Sequence, residues 1–286
     1  MVLHGPIRIS GRSIHEETPM SENTPGAAGH PGVAVARADG LMTLTFDRAQ
    51  RKNAITAAMY STMVDALNQA ESDPAIRAVL FLGSETIFTS GNDLEEFMQQ
   101  PPLGADAPVM QFLRRISTAG KPLLAAVAGP AVGIGTTLLL HCDMVYAADN
   151  ARFSMPFVSL GLCAEGASSL LLPRLAGYQR AAEKLLTGEA FDAQEAAAMG
   201  MVNKVLPAGE LLAYVHAQAR KLVGLPPASL RLTKALMKNG VAAPEEVQTV
   251  IATEAAHFGR MLRGPEAREA MTAFFEKRKP DFSKFD

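Results

Sequence analysis

From Val33 onward the chain alternates short apolar runs with segments of helical period. VAVAR and LMTLTF flank Asp39-Gly40, and Asp-Gly between two apolar runs predicts a hairpin, because both residues accept positive φ. Ile55, Met59, Met63, Leu67 and Ala70 recur at helical spacing, predicting a helix that stops at Asp73-Pro74. RAVLFLG, from Arg77 to Gly83, and LLAAVAG, ending at Gly129, are continuous apolar runs of strand length. That pattern belongs to strands buried on both faces. Between them lie the interrupted segment QQPPLGADAP and a helix carrying Val109, Leu113 and Ile116. A loop of that kind beside a site commonly shapes substrate access.

Beyond Gly129 the pattern predicts a short helix in TTLLLHCD, a strand in DMVYAA and an irregular extended stretch in ARFSMPFVSLGL. Helices dominate from Ala167: 168–176, 178–187, 192–199, 210–223, 228–238, 244–262 and 265–277, interrupted by one strand, VNKVLP. Strand and helix units followed by a helical last third indicate an α/β fold, with the final helices available for subunit packing. The expected division is a disordered extension over 1–32, an α/β core over 33–207 and a helical region over 208–286.

Two stretches share one design, a buried strand running through glycine into a helix. They are FTSGNDLEEF, from Phe88 to Phe97, and AAVAGPAVGIGTT, from Ala125 to Thr137. Facing each other across a pocket, such turns can offer one backbone N–H apiece to a developing negative charge.

Composition narrows the classes. The 286 residues are 48% hydrophobic, ample for a packed core, and the net charge of -2 with interspersed signs gives no basic stripe for nucleic acid. Cys142 and Cys163 have neither metal-ligand spacing nor a disulfide-rich context, so no metal site is expected and both read as buried free thiols in a reducing compartment. MVLHGPIRIS is too short an apolar run for a signal peptide, and no segment offers about 18 uncharged apolar residues. A soluble, cytoplasmic protein without membrane partners is expected, with Met20 a second possible start.

From about Val33 to its end the chain resembles the crotonase, or enoyl-CoA hydratase/isomerase, superfamily. DRAQRKNAI is similar to its early coenzyme-A loop, SGNDL to its first oxyanion turn, KPLLAAVAGPAVGIG to its second, and AAEKLLTGEAFDAQEAAAMGMVNKV to its downstream helices and strand. The resemblance implies a ClpP/crotonase-like spiral of ββα units with a helical oligomerisation region, assembled as a trimer or a dimer of trimers. It implies an acyl-CoA thioester as substrate, with coenzyme A part of that substrate and no separate cofactor. The oxyanion donors become the backbone N–H groups of Asn92 and Ile134, with Gly91, Gly133 and Gly135 permitting close approach of substrate and positive φ. The helix starting near Gly135 would add its positive end. Coenzyme A would meet the main chain of Asn53 and Ala54 and that of Ser90, Gly91, Asn92, Asp93 and Leu94, with Lys52 helping to neutralise phosphate. The basic EKRKPDFSKF segment would either complete a neighbouring subunit's nucleotide pocket or serve as a solubilising tail.

The acid or base separates activities within this superfamily. Hydratases resembling this chain add water with two glutamates, at positions occupied here by Thr137 and Phe157, and neither can titrate as required. Glu165, in LGLCAEGASS, matches the single catalytic glutamate of the monofunctional Δ3,Δ2-enoyl-CoA isomerases. Burial against Phe157, Leu162 and Leu170 would raise its pKa; alternatively it is a carboxylate at a helix start. Asp93, Glu95 and Glu96 read as caps or surface charges, with Glu95 a weaker second acid. His141, Asp143 and Ser168 lack the Gly-x-Ser-x-Gly elbow of a hydrolase triad, and GPAVGIG lacks the full dinucleotide fingerprint. The leading expectation is an enoyl-CoA isomerase of fatty-acid or related acyl-CoA degradation. The alternatives are a hydratase or other acyl-CoA enzyme of this fold, and a silent CoA-thioester binding protein.

Overall fold

The computed structural model describes residues 32–99 and 104–285. The expected extension therefore lies outside the described residues except for Gly32, as do residues 100–103 of the access loop and residue 286.

The chain opens with the hairpin β1 (Val33–Ala38) and β2 (Leu41–Phe46), turned by Asp39 at φ 50° and Gly40 at φ 77°. The first helix, α1 (Ala57–Ser72), begins later than the apolar spacing implied. Ile55 stays extended in an isolated bridge to Asn92, and the Thr56 side chain caps the helix by accepting from Met59 N–H. Then come β3 (Ala78–Leu82), α2 (Leu94–Gln99), α3 (Pro108–Thr118), β4 (Leu123–Val127), β5 (Pro130–Val132) and α4 (Ile134–Thr137). Next are β6 (Met144–Ala148), β7 (Arg152–Ser154), α5 (Ser168–Ala176), α6 (Tyr178–Thr187), β8 (Phe191–Asp192), α7 (Ala193–Ala198) and β9 (Lys204–Leu206). The helices α8 (Ala208–Val223), α9 (Pro227–Val241), α10 (Pro244–Met261) and α11 (Pro265–Phe275) follow.

A six-stranded sheet runs β1-β2-β3-β4-β6-β9, antiparallel at its hairpin edge and parallel elsewhere. Its central strands are apolar at every position because both faces are covered. Val79 and Phe81 of β3 and Leu123 and Ala125 of β4 join Met59, Met63, Phe112 and Ile116 of α1 and α3. Leu80, Leu124 and Ala126 point to the other face, where Leu211, Val215, Ala219 and Leu222 of α8 cover them. Each large apolar side chain buried this way contributes roughly 1.5–3 kcal/mol. A second sheet of order β5-β7-β8 was not visible in the apolar pattern; its strands are two or three residues long. The chain passes from a large-sheet strand to a small-sheet strand to a helical turn, as in β4, β5, α4. That is the ββα spiral.

This winding joins the two glycine turns. Thr89 bridges Ala131, Val132 N–H donates to Thr89 O at 3.0 Å, and the Phe88 and Thr89 N–H groups both reach Pro130 O at 3.1 Å. On the far side, α10 packs over α3, and Gln248 hydrogen-bonds the Ser117 hydroxyl. Helix α9 leaves Leu232, Leu236, Met237 and Val241 exposed. Among the described residues no helix is long and apolar enough to cross a membrane.

Candidate active site

Asn92 and Ile134 each lie three residues beyond the Thr89–Ala131 bridge, so the pairing holds the two turns in step. The bridge to Ile55 uses Gly91 O and Asp93 N–H, which turns Asn92 N–H the other way; Ile134 is the first residue of α4. Neither N–H has a backbone or side-chain acceptor among the described residues. The glycines differ in their reasons. Gly133, at φ 56° and ψ −121°, holds a backbone shape closed to other residues, although a Cβ there would meet nothing nearer than 3.8 Å. At Gly91 a Cβ would sit 2.8 Å from Val132 O, and at Gly135, whose φ is not positive, 2.4 Å from the Thr89 methyl. These two glycines admit the opposing turn; Gly91, at φ 87°, also takes the positive φ expected of it, whereas Gly135 does not. A further correction concerns α4. It is a single turn of four residues running into a 3-10 turn, Leu138–His141, so its dipole is small and the free N–H groups themselves carry the polarity.

Asn92 and Glu165 stand on the wall of one narrow cleft that opens to solvent. The remaining wall is largely apolar, formed by Phe97, Val109, Met110 and Leu113 together with Ile251, Ala255, Phe258 and Leu262. Phe258 packs edge-on against Phe97 at 6.0 Å and against Phe157 at 6.4 Å between ring centres.

Glu165 leads into α5 through two left-handed residues, Gly166 at φ 67° and Ala167 at φ 58°. The turn is fixed from several directions. Ser168 donates to Glu165 O through N–H at 3.1 Å and Oγ–H at 2.7 Å, and His141 Nε2–H donates to Gly166 O at 2.8 Å. Thr137 Oγ1–H donates to the carboxylate itself, 2.5 Å from Oε1. Although part of Glu165 remains open to the cleft, loss of hydration drives its pKa from 4.5 up to about 8. The Thr137 hydrogen bond opposes that rise and the charge of Glu254 adds to it. Such a carboxyl is a competent base near neutral pH.

Three residues important here escaped the sequence reading. Tyr60 on α1 donates its hydroxyl to Asn92 Oδ1 at 2.5 Å. Burial, then the charges of Glu165 and Glu96, push its pKa well up, so it stays a donor. Arg48 pairs with Asp93 at 2.7 Å and also donates to Ala54 O, tying the early loop to the first turn. Burial works the other way, but the Arg48 contact holds the Asp93 carboxyl below its ordinary value. Glu254 on α10 is the third. None announces itself in sequence, since Asn92, Asp93 and Ala167, the partners that tie them to the site, lie more than 30 residues away.

The expected coenzyme-A residues mostly have structural work. Asn53 is fully buried; its side chain donates to Ile87 O and Phe88 O and accepts from Arg48 N–H, and its carbonyl accepts from Thr89 Oγ1–H. The N–H groups of Asn53, Ala54, Ser90, Gly91 and Asp93 are all bonded within the protein. A nucleotide here must share occupied carbonyls or use the exposed Lys52, itself left-handed at φ 53°. Asp93 caps α2 through Glu96 N–H at 3.3 Å, while Glu95 pairs with Arg51 at the surface, away from the base. Arg278 and Lys284 of the basic C-terminal segment both pair with Glu269 of α11. The rejected triad stays apart in function as well. His141 is buried, which lowers its pKa to about 4; Asp143 pairs with Lys234 at 2.7 Å; Ser168 serves the Glu165 turn.

Two glycine turns paired with each other on an α/β spiral, the first of them lining an apolar cleft with the carboxyl of Glu165, define the crotonase class of fold. The sequence profile of the enoyl-CoA hydratase/isomerase family matches residues 36–284. The structure of Pseudomonas aeruginosa OdaA superposes with TM-score 0.83 at 47% identity, covering 86% of this chain and 99% of that one. Rat enoyl-CoA delta isomerase 2 is 38% identical over 213 residues, 72% of this chain and 54% of the relative. The 2,3-dehydroadipyl-CoA hydratase of Escherichia coli is 32% identical over 251 residues, 87% of this chain and 97% of the relative. The chain belongs to the enoyl-CoA hydratase/isomerase family, and it spans about half the length of the rat and human delta isomerase 2 proteins it matches.

Proposed function

We propose that this protein is a Δ3,Δ2-enoyl-CoA isomerase working through one glutamate. The observation that carries the reading is a basic Glu165 on the cleft wall whose carboxyl is bonded to Thr137, a buried residue that cannot ionise. The Glu165 carboxylate removes a C2 proton from a 3-enoyl thioester. The released electron pair moves into the thioester carbonyl, and the resulting oxyanion is held by Asn92 N–H and Ile134 N–H. One preorganised donor of this kind is worth roughly 3 kcal/mol. The C3–C4 double bond then shifts to C2–C3 as C4 takes the same proton back from Glu165. No water is consumed.

Phe157, where a hydratase of the kind described would carry a second glutamate, is an aromatic packed on the acyl wall. That supports migration over hydration. Lys52 remains the proposed phosphate contact, and the exposed apolar residues of α9 support assembly into a trimer or a dimer of trimers. The test is to incubate the protein with 3-hexenoyl-CoA and 2-hexenoyl-CoA and follow migration and hydration separately. Migration without hydration is expected. Hydration alone rejects the isomerase, and thioester binding with neither reaction indicates a silent binder.

A further inference from the structure

The shuttle described above gives no task to a second carboxylate beside it. Glu254 is 7% exposed and forms no ion pair among the described residues, yet its carboxylate accepts three hydrogen bonds from the Glu165 loop. Ala167 N–H reaches Oε2 at 2.6 Å, and Ser169 reaches Oε1 through N–H at 3.1 Å and Oγ–H at 2.5 Å. On the other side of Glu165, Cys163 Sγ–H approaches Glu254 O at 3.7 Å. One residue of α10 thus grips the loop both before and after the base. The same helix turns Ile251, Ala255, Phe258 and Gly259 toward the cleft.

We propose that Glu254 is a positioning residue for Glu165: it fastens the helix that forms the acyl wall to the loop that carries the proton, and it fixes both the place of that carboxylate and the charge around it. This rests on Glu165 being the proton carrier. Two features set Glu254 apart from an ordinary helix cap. Ala167 adopts a left-handed conformation that costs a non-glycine residue free energy, and its N–H is held by Glu254 alone. A buried carboxylate is also an expensive cap where a neutral side chain would serve, unless its charge has a use. Near Glu165 that use is available, because a like charge makes the neighbouring carboxylate hold its proton more tightly. The titratable groups nearest the pair among the described residues are uncharged at neutral pH, and the ammonium of Lys238 lies beyond them, donating to His141 O at 3.1 Å. Tyr60 on α1 and Cys163 on the loop are kept protonated by burial, and buried His141 is neutral. α3 and α4 present Leu113 and Thr137 to the loop. Glu254's own pKa is raised by burial, against the pull of the bonds from Ser169 and Ala167.

The experiment uses full-length protein labelled with 13C at the glutamate carboxyl, titrated by NMR in wild type and Glu254→Gln, with Glu165→Gln to assign the signal. Glu165 is expected to titrate lower in Glu254→Gln by about half a pH unit or more. The acid limb of kcat/KM for 3-hexenoyl-CoA should move by the same amount, and kcat should fall about 10- to 100-fold with KM nearly unchanged. Ser169→Ala keeps the charge, so kcat should fall while the limb stays. An unmoved Glu165 titration in folded Glu254→Gln, or activity lost only in proportion to unfolded protein, overturns the proposal. If Glu254→Gln does not fold, Glu254→Asp replaces it: it withdraws the anchor and keeps the charge, so an unchanged kcat overturns the proposal. The NMR titration decides the role of Glu254 on the Glu165 carboxyl even if wild type proves unable to isomerise, an outcome that would instead remove the proposed function.

Discussion

Thr137 Oγ1 and Glu165 Oε1, 28 residues apart in the chain, lie 2.5 Å apart in a donated hydrogen bond. The bond stabilises the ionised carboxylate and so restrains the rise that burial imposes. Thr137→Val keeps the shape and removes the donor. Glu165 should then hold its proton to higher pH, and the acid limb of kcat/KM should move upward, the opposite of its expected movement in Glu254→Gln. A pH–rate profile with 3-hexenoyl-CoA checks the direction.

Glu165→Gln replaces the proposed base with a nearly isosteric amide that cannot take a proton at neutral pH. Isomerisation should fall by about 10²–10⁴ or more, while acyl-CoA affinity, measured by calorimetry, stays within a few-fold. Undiminished turnover would remove Glu165 from the mechanism.

The same variant should be more stable than wild type in alkali. A carboxyl whose pKa rises from 4.5 to about 8 on folding keeps its full stability contribution below pH 4.5 and loses it as pH climbs toward 8, because the unfolded chain ionises first. Each pH unit in that window is worth about 1.4 kcal/mol. Glu165→Gln carries no such penalty, so its advantage should be absent at pH 4 and reach a few kcal/mol at pH 9. Urea unfolding at the two pH values measures it; equal differences at both would contradict the buried titration.

Tyr60→Phe deletes the phenol that holds Asn92 Oδ1. An acceptor left without its donor costs about 1–3 kcal/mol. The variant should unfold at lower urea, and because Asn92 N–H is the proposed oxyanion donor, kcat should fall more than KM rises. Steady-state kinetics separates the two.

Leu232→Glu combined with Leu236→Glu places two charges on the exposed apolar face of α9. If that face is covered by other copies of the chain, light scattering should show the assembly dissociating. An unchanged mass would place the subunit contacts elsewhere.

The sequence by itself determined the elements whose signals are local. Asp39-Gly40 specified a hairpin because its backbone angles suit few other pairs, and RAVLFLG and LLAAVAG specified doubly buried strands because every position is apolar. The glycine turns were legible from type and order along the chain, and Glu165 was singled out through the family resemblance. Short elements were not legible: β5, β7 and β8 hold two or three residues, too few for a period to register. Nor were contacts between distant segments. What Gly91 and Gly135 make room for, which donor holds Asn92, and why Thr137 matters to Glu165 depend on turns brought together by a parallel sheet. Only the tertiary structure decided that Glu165 is basic, because its pKa comes from the loss of water around it and from Glu254, 89 residues further along the chain. Hydration and long-range charge belong to positions in space, and the order of residues does not state them.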